Sequence, residues 1–121
     1  GPIVSMRVSV SGLSSDEVSS LEAFVFAPRL SDDTILTCTG LRADLLDPRG
    51  DAVVALATGV ANVVPGEASQ LRIDGIEEGV DRIVYIDSFD ANAAQNGRGC
   101  VDRVRITGGE LTEIEVVVSG R

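Results

Sequence analysis

Cys38 and Cys100 carry the most definite covalent chemistry in this chain. They form a thiol pair 62 positions apart, in 121 residues that contain no histidine and no lysine. Two cysteines without histidine lack the usual donor set of a zinc site. Cys100 also follows a polar, glycine-bearing stretch in which a free thiol would be reactive. A disulfide is the expectation, and closing so long a loop would stabilise the fold by roughly 4 kcal/mol in the chain-entropy view. Two buried thiols packed as small hydrophobes are the alternative.

The carboxylates offer less. Asp87, Asp90 and Asn92, with Asn96 nearby, put oxygen ligands at alternating spacing. A calcium ion takes about six to eight oxygens, and no bidentate glutamate stands at the right distance, so these three are weak candidates only. No metal site and no cofactor are expected. Glu77 with Glu78, and Asp32 with Asp33, are adjacent pairs. Neighbours in an extended segment point to opposite sides and cannot flank one scissile bond. The serines have no imidazole or lysine to activate them, and no Gly-x-Ser-x-Gly elbow is present. No catalytic residue is assigned, and the chain does not read as an enzyme. Arg49, Gly50 and Asp51 spell the tripeptide that integrin ligands display, but Pro48 and Gly50 already account for the segment as a turn.

The elements that must hold these groups read as strand after strand. Residues 3–10 and 69–73 alternate apolar with polar positions, the mark of half-buried strands, and 101–107 and 111–119 read as further strands. Residues 21–27 place Phe24 and Phe26 on one face, and 82–89 is the best candidate for a central strand. Residues 34–39 read as a short strand carrying Cys38, 41–46 as either strand or helical turn, and 52–58 and 60–64 as strand pieces split at Gly59. Residues 90–99 read as a long exposed loop, and Gly108 with Gly109 as a hairpin turn. Such a succession predicts an all-β fold, a single antiparallel sandwich of seven to nine short strands. The expected core is Val8, Val10, Phe24, Phe26, Ile73, Ile83, Tyr85, Val104, Ile106, Ile114 and Val116.

Ten arginines face nineteen carboxylates, for a net charge of −9. Nucleic-acid binding needs a basic footprint, and none is visible. No apolar run approaches the roughly 18 residues of a membrane helix, so this segment is not expected to insert. Gly1 and Pro2 read as the scar of a cleaved expression tag, with one domain over 3–121 and any export signal or lipid anchor outside the sequence.

Leu71, Arg72, Ile73, Asp74, Gly75 and Ile76, then Glu77, Glu78 and Gly79, lead into a strand bearing Tyr85. This pattern, preceded by Pro65, Gly66 and Glu67, resembles the second half of transthyretin-like or carboxypeptidase-regulatory-like domains. The cysteine spacing resembles the inter-sheet bridge of immunoglobulin-like sandwiches, although the chain has no tryptophan and Arg98 stands where the corner tyrosine would be. Both resemblances imply a non-catalytic scaffold or interaction module. The sequence is accordingly read as part of a secreted or surface-anchored bacterial protein or lipoprotein, extracytoplasmic, with an unidentified protein partner. A carbohydrate- or calcium-binding module acting through its loops is the alternative. The oligomeric state is not legible in the sequence. Unreduced protein is expected to weigh two hydrogens less than its dithiol form by mass spectrometry, and two titratable thiols after denaturation would contradict this.

Overall fold

The computed structural model describes residues 3–11, 17–43, 45–63 and 69–120. The elements run β1 (Ile3–Ser11), β2 (Ser20–Phe26), α1 (Cys38–Arg42), β3 (Ala55–Asn62), β4 (Ser69–Asp74), β5 (Gly79–Phe89), β6 (Gln95–Ile106) and β7 (Leu111–Gly120). The all-β expectation holds. Hydrogen bonding links seven strands into one sheet in the order β3-β2-β5-β6-β7-β1-β4. All pairs are antiparallel except β1 with β7, which run parallel from Ile3 opposite Leu111 to Ser11 opposite Ser119.

The sheet doubles back on itself at a single corner. β6 and β7 are paired only at Gly97 with Gly120 and Arg98 with Ser119, and the ladder is broken between there and the Thr107–Glu110 turn that joins them. Gly99 makes the close approach of β7 possible, because a Cβ there would collide with the Val117 carbonyl oxygen. At the far edge β4 returns against β3, where the Leu71 and Ile73 side chains crowd Gly59. The inner core fills the space between: Leu21, Ala23 and Val25 of β2, Val84 and Ile86 of β5, Val104 and Ile106 of β6, Leu71 and Ile73 of β4, and Val116 and Val118 of β7.

A second core lies on the outer face of β2 and β5. Phe24, Phe26, Ile83 and Tyr85 are covered there by Leu36, Cys38, Leu41 and Val53 from the long connection between β2 and β3. Phe24 and Phe26 stack at 5.5 Å between centroids, with Tyr85 tilted 6.5 Å from Phe26. Strands buried on both faces lose the alternation of half-buried ones. This is why residues 83–86 form an unbroken apolar run.

Three local readings need correction. Residues 34–39 do not form a strand: the Gly40 amide donates to the Thr37 hydroxyl at 3.0 Å, capping α1, which begins at Cys38. Residues 52–63 are not two strand pieces: β3 runs without a break through Gly59, and 52–54 precede it, while Val64 lies outside the described residues. Residues 90–99 are not a long loop. Asp90 Oδ1 accepts the amides of Asn92 and Ala94 at 2.8 and 2.9 Å, closing a tight turn after which β6 starts at Gln95. Of the expected core, Phe24, Phe26, Ile73, Ile83, Tyr85, Val104, Ile106 and Val116 are buried, and Ile114 packs partly buried against them. The side chains of Val8 and Val10 lie outside the described residues, as do Gly12–Asp16 and Pro65, Gly66 and Glu67.

Gly99→Ala is expected to destabilise by about 1–3 kcal/mol, the cost of overpacking where backbone cannot yield. Phe26→Ala, which empties the outer core, should cost about 3–5 kcal/mol. Urea unfolding measures both, and a loss below about 1 kcal/mol at Phe26 would contradict its burial.

Candidate binding cleft

The disulfide positions the outer layer. Cys38 and Cys100 are joined with their Cα atoms 5.7 Å apart, tying the first residue of α1 to the middle of β6. Two arginines repeat the tie. Arg42 donates through Nη2 to the Cys100 carbonyl at 2.9 Å, and Arg98 through Nη1 to the Leu41 carbonyl at 3.1 Å.

A second anchor sits at the other end of the connection. Arg49 Nη1 donates to Asp87 Oδ2 at 2.9 Å, and Nη2 pairs with Glu22. The guanidinium also lies over the rings of Phe24 and Phe89, 5.1 and 5.7 Å from their centroids. Partial burial works against the charge on Arg49, but the hydrogen bonds and charges of Asp87 and Glu22 outweigh it and hold the guanidinium pKa above its ordinary value. Asp87 is fully buried and accepts a further hydrogen bond from Gln95. The Arg49 guanidinium is therefore engaged by contacts of its own fold, which weakens the adhesion reading of the tripeptide.

The three oxygen-bearing candidates do not converge. Asp87 is spent on Arg49 and Gln95, Asp90 closes the turn before β6, and Asn92 is exposed within that turn. No group of three or more histidine, cysteine, aspartate or glutamate residues suited to a metal ion occurs among the described residues.

Apart from Ile83, expected as core, the residues that do converge were not singled out from the sequence. Pro28, Arg29, Ile35, Ile83, Asp81 and Arg103 line an open cleft of about 380 Å³, with Asp102 beside them. Two bulges on neighbouring strands build it. Between Gly79 and Arg82 β5 carries one residue more than β6 opposite, and between Val101 and Val104 β6 carries one more than β5. Each bulge holds a non-glycine residue in the left-handed region, Asp81 at φ 57° and Arg103 at φ 55°. Such residues cost on the order of 1–3 kcal/mol and persist where the surrounding structure imposes them. The extra residue in β6 lets Val101 and Val104, three positions apart, both pack on the inner core. Asp102 and Arg103 are thrown outward beside Asp81 as a result. Ile35 forms an exposed apolar wall, 64% accessible, opposite the buried Ile83. The cleft so combines an apolar floor with both signs of charge.

No family model matches this chain, and no curated protein does. Among solved structures, an alternative pilotin from the type II secretion system of Vibrio cholerae is similar in fold, with a TM-score of 0.54 and 12% sequence identity over 98% of this chain and 96% of the other. At that identity the likeness is one of architecture.

Arg49→Ala leaves Asp87 buried with its charge largely uncompensated and is expected to cost on the order of 2–3 kcal/mol. Pairing it with Asp87→Asn should recover part of that loss. Denaturant titration of the single and double variants gives the comparison, and a double variant no more stable than Arg49→Ala would show that the pair is not what holds Arg49 in place.

Proposed function

We propose that this chain is a non-catalytic protein-interaction module of a secreted or surface-anchored bacterial protein, working outside the cytoplasm and gripping a partner polypeptide at the double-bulge cleft. The observation that carries the reading is the cleft itself. Its floor of Ile83 and wall of Ile35 would receive an apolar side chain, and Arg29, Arg103, Asp81 and Asp102 would fix the polar groups on either side of it. Recognition sites of this kind combine an apolar anchor with a few placed polar groups.

Other observations support the reading without carrying it. The chain has no histidine or lysine to act as base or nucleophile activator. A disulfide is at home in oxidising compartments. The fold likeness to a secretion-system pilotin fits a protein whose work is contact with other proteins. The carbohydrate- or calcium-binding alternative has less behind it: Phe24, Phe26 and Tyr85 are buried in the outer core rather than displayed, and Asp87, Asp90 and Asn92 serve separate structural contacts.

A photo-crosslinking side chain placed at Ile35 is expected to capture one protein from the envelope fraction of the source organism. The purified partner should then bind the unmodified module in calorimetry and lose about tenfold or more in affinity for Arg103→Gln. A partner that binds Arg103→Gln and Ile35→Asp as tightly as the unsubstituted module would place recognition elsewhere. Saturable binding on a glycan array, with no protein captured, would favour the alternative.

A further inference from the structure

The sheet ends at β3. β2 pairs it along one side, and no strand among the described residues pairs it along the other. The Val63 amide donates to the Ser19 carbonyl at 3.0 Å, which fixes the phase of that antiparallel ladder. Ala57, Gly59 and Ala61 therefore turn their backbone groups to β2, and Thr58, Val60 and Asn62 turn theirs to the open side. Solvent reaches this edge. Ala57, Gly59 and Ala61 pack toward the inner core yet stay partly exposed, whereas Ala23 and Val25 beside them in β2 are fully buried.

Open edges are commonly blunted by charged side chains, and β4, at the other end of the sheet, carries exposed Arg72. β3 has no such guard. Residues 55–63 include no charged residue, in a chain that is 24% charged. The one register shift against β2 lies at the start of β3, opposite Val25 and Phe26, and leaves the rest of the edge regular. Val60 stands outward, 71% exposed, with exposed Thr58 and Asn62 on the same face. Glu22, opposite Val60 in β2, is already paired with Arg49.

We infer that a second copy of this chain occupies the edge, its β3 lying antiparallel to the first about a two-fold axis at Val60. The open backbone groups suit this partner. Thr58 and Asn62 flank Val60 symmetrically, so pairing Val60 with Val60, and Thr58 with Asn62 of the other copy, satisfies the amide and carbonyl of all three. The same register lays the two exposed Val60 side chains against each other and sets Thr58 beside Asn62, with no charge facing a charge. Two copies of net charge −9 repel, and a charge-free edge is where that repulsion is least. The edge shares no lining residue with the double-bulge cleft, and the inference is independent of that reading.

Sedimentation velocity of the oxidised protein over a wide concentration range should show monomer passing to dimer and no larger species, since a two-fold contact closes on itself. Added salt should strengthen the association, because screening weakens the repulsion between like-charged copies. In a mixture of isotope-labelled and unlabelled protein, filtered NOEs should connect Val60 of one copy to Val60 of the other. Val60→Lys and Val60→Glu, changes at an exposed side chain, should each weaken association at least tenfold in an otherwise unchanged spectrum. An equimolar mixture of the two variants should restore a dimer, as opposite charges then meet at the axis. The inference is overturned if the protein stays monomeric throughout, if the single variants associate as the parent does, if the mixture fails to recover, or if the NOEs lie elsewhere. A monomer whose amides at residues 58–62 shift saturably with an acetylated, amidated peptide of alternating threonine and valine would also overturn it, in favour of a foreign strand.

Discussion

The covalent bond between Cys38 and Cys100 is the constraint on which the outer half of this molecule depends. The connection between β2 and β3 is long, and α1, its only helix among the described residues, spans just Cys38–Arg42. A helix that short has almost no stability of its own. It persists because its first residue is bonded to β6, its cap is formed by Thr37, and its end is held by Arg42 and Arg98. With the helix fixed, Leu36 and Leu41 cover Phe24, Phe26 and Tyr85, and the Arg49 anchor holds the same connection down at its other end. The double-bulge cleft inherits this rigidity, since Ile35 belongs to the pinned connection.

The inner half rests on backbone geometry instead. One glycine, Gly99, lets β7 pass close against β6, and two bulges re-aim the side chains of β5 and β6. The bulges serve packing and recognition together. They keep Val101 and Val104 on the core, and by the same residue count they present Asp102 and Arg103 to solvent beside Asp81. Strained non-glycine residues at such a place are where function is to be looked for first.

The strand pattern was legible because burial on one face writes itself as alternation, as at Ile73, Val104, Ile106 and Val116. Phe24, Phe26 and Tyr85 were legible as core for the same reason. Cys38 as a strand residue was misread, because Thr34, Ile35, Thr37 and Thr39 favour extended backbone and a five-residue helix depends on contacts remote in sequence. The segment from Gln95 to Gly99 was misread because its polar and glycine residues answer to a strand crossing rather than to solvent. The double-bulge cleft left one trace, the spacing of Val101 and Val104 by three in a stretch that otherwise alternates by two. Arg42 and Arg98 left none apart from their offsets from the cysteines, whose meaning appears only once the sulfurs are joined.

Hydrogen exchange of the oxidised and the reduced protein, followed by mass spectrometry, tests most directly whether the disulfide holds the outer layer as a separate unit. Reduction should sharply lower protection across Cys38–Arg42 and the neighbouring connection, while β5 and β6 keep theirs from pairing and from the inner core. Equal protection of the connection in both states would show that the covalent tie is dispensable. Collapse of protection throughout the sheet would show that the two layers are not separable, and either result would contradict this account.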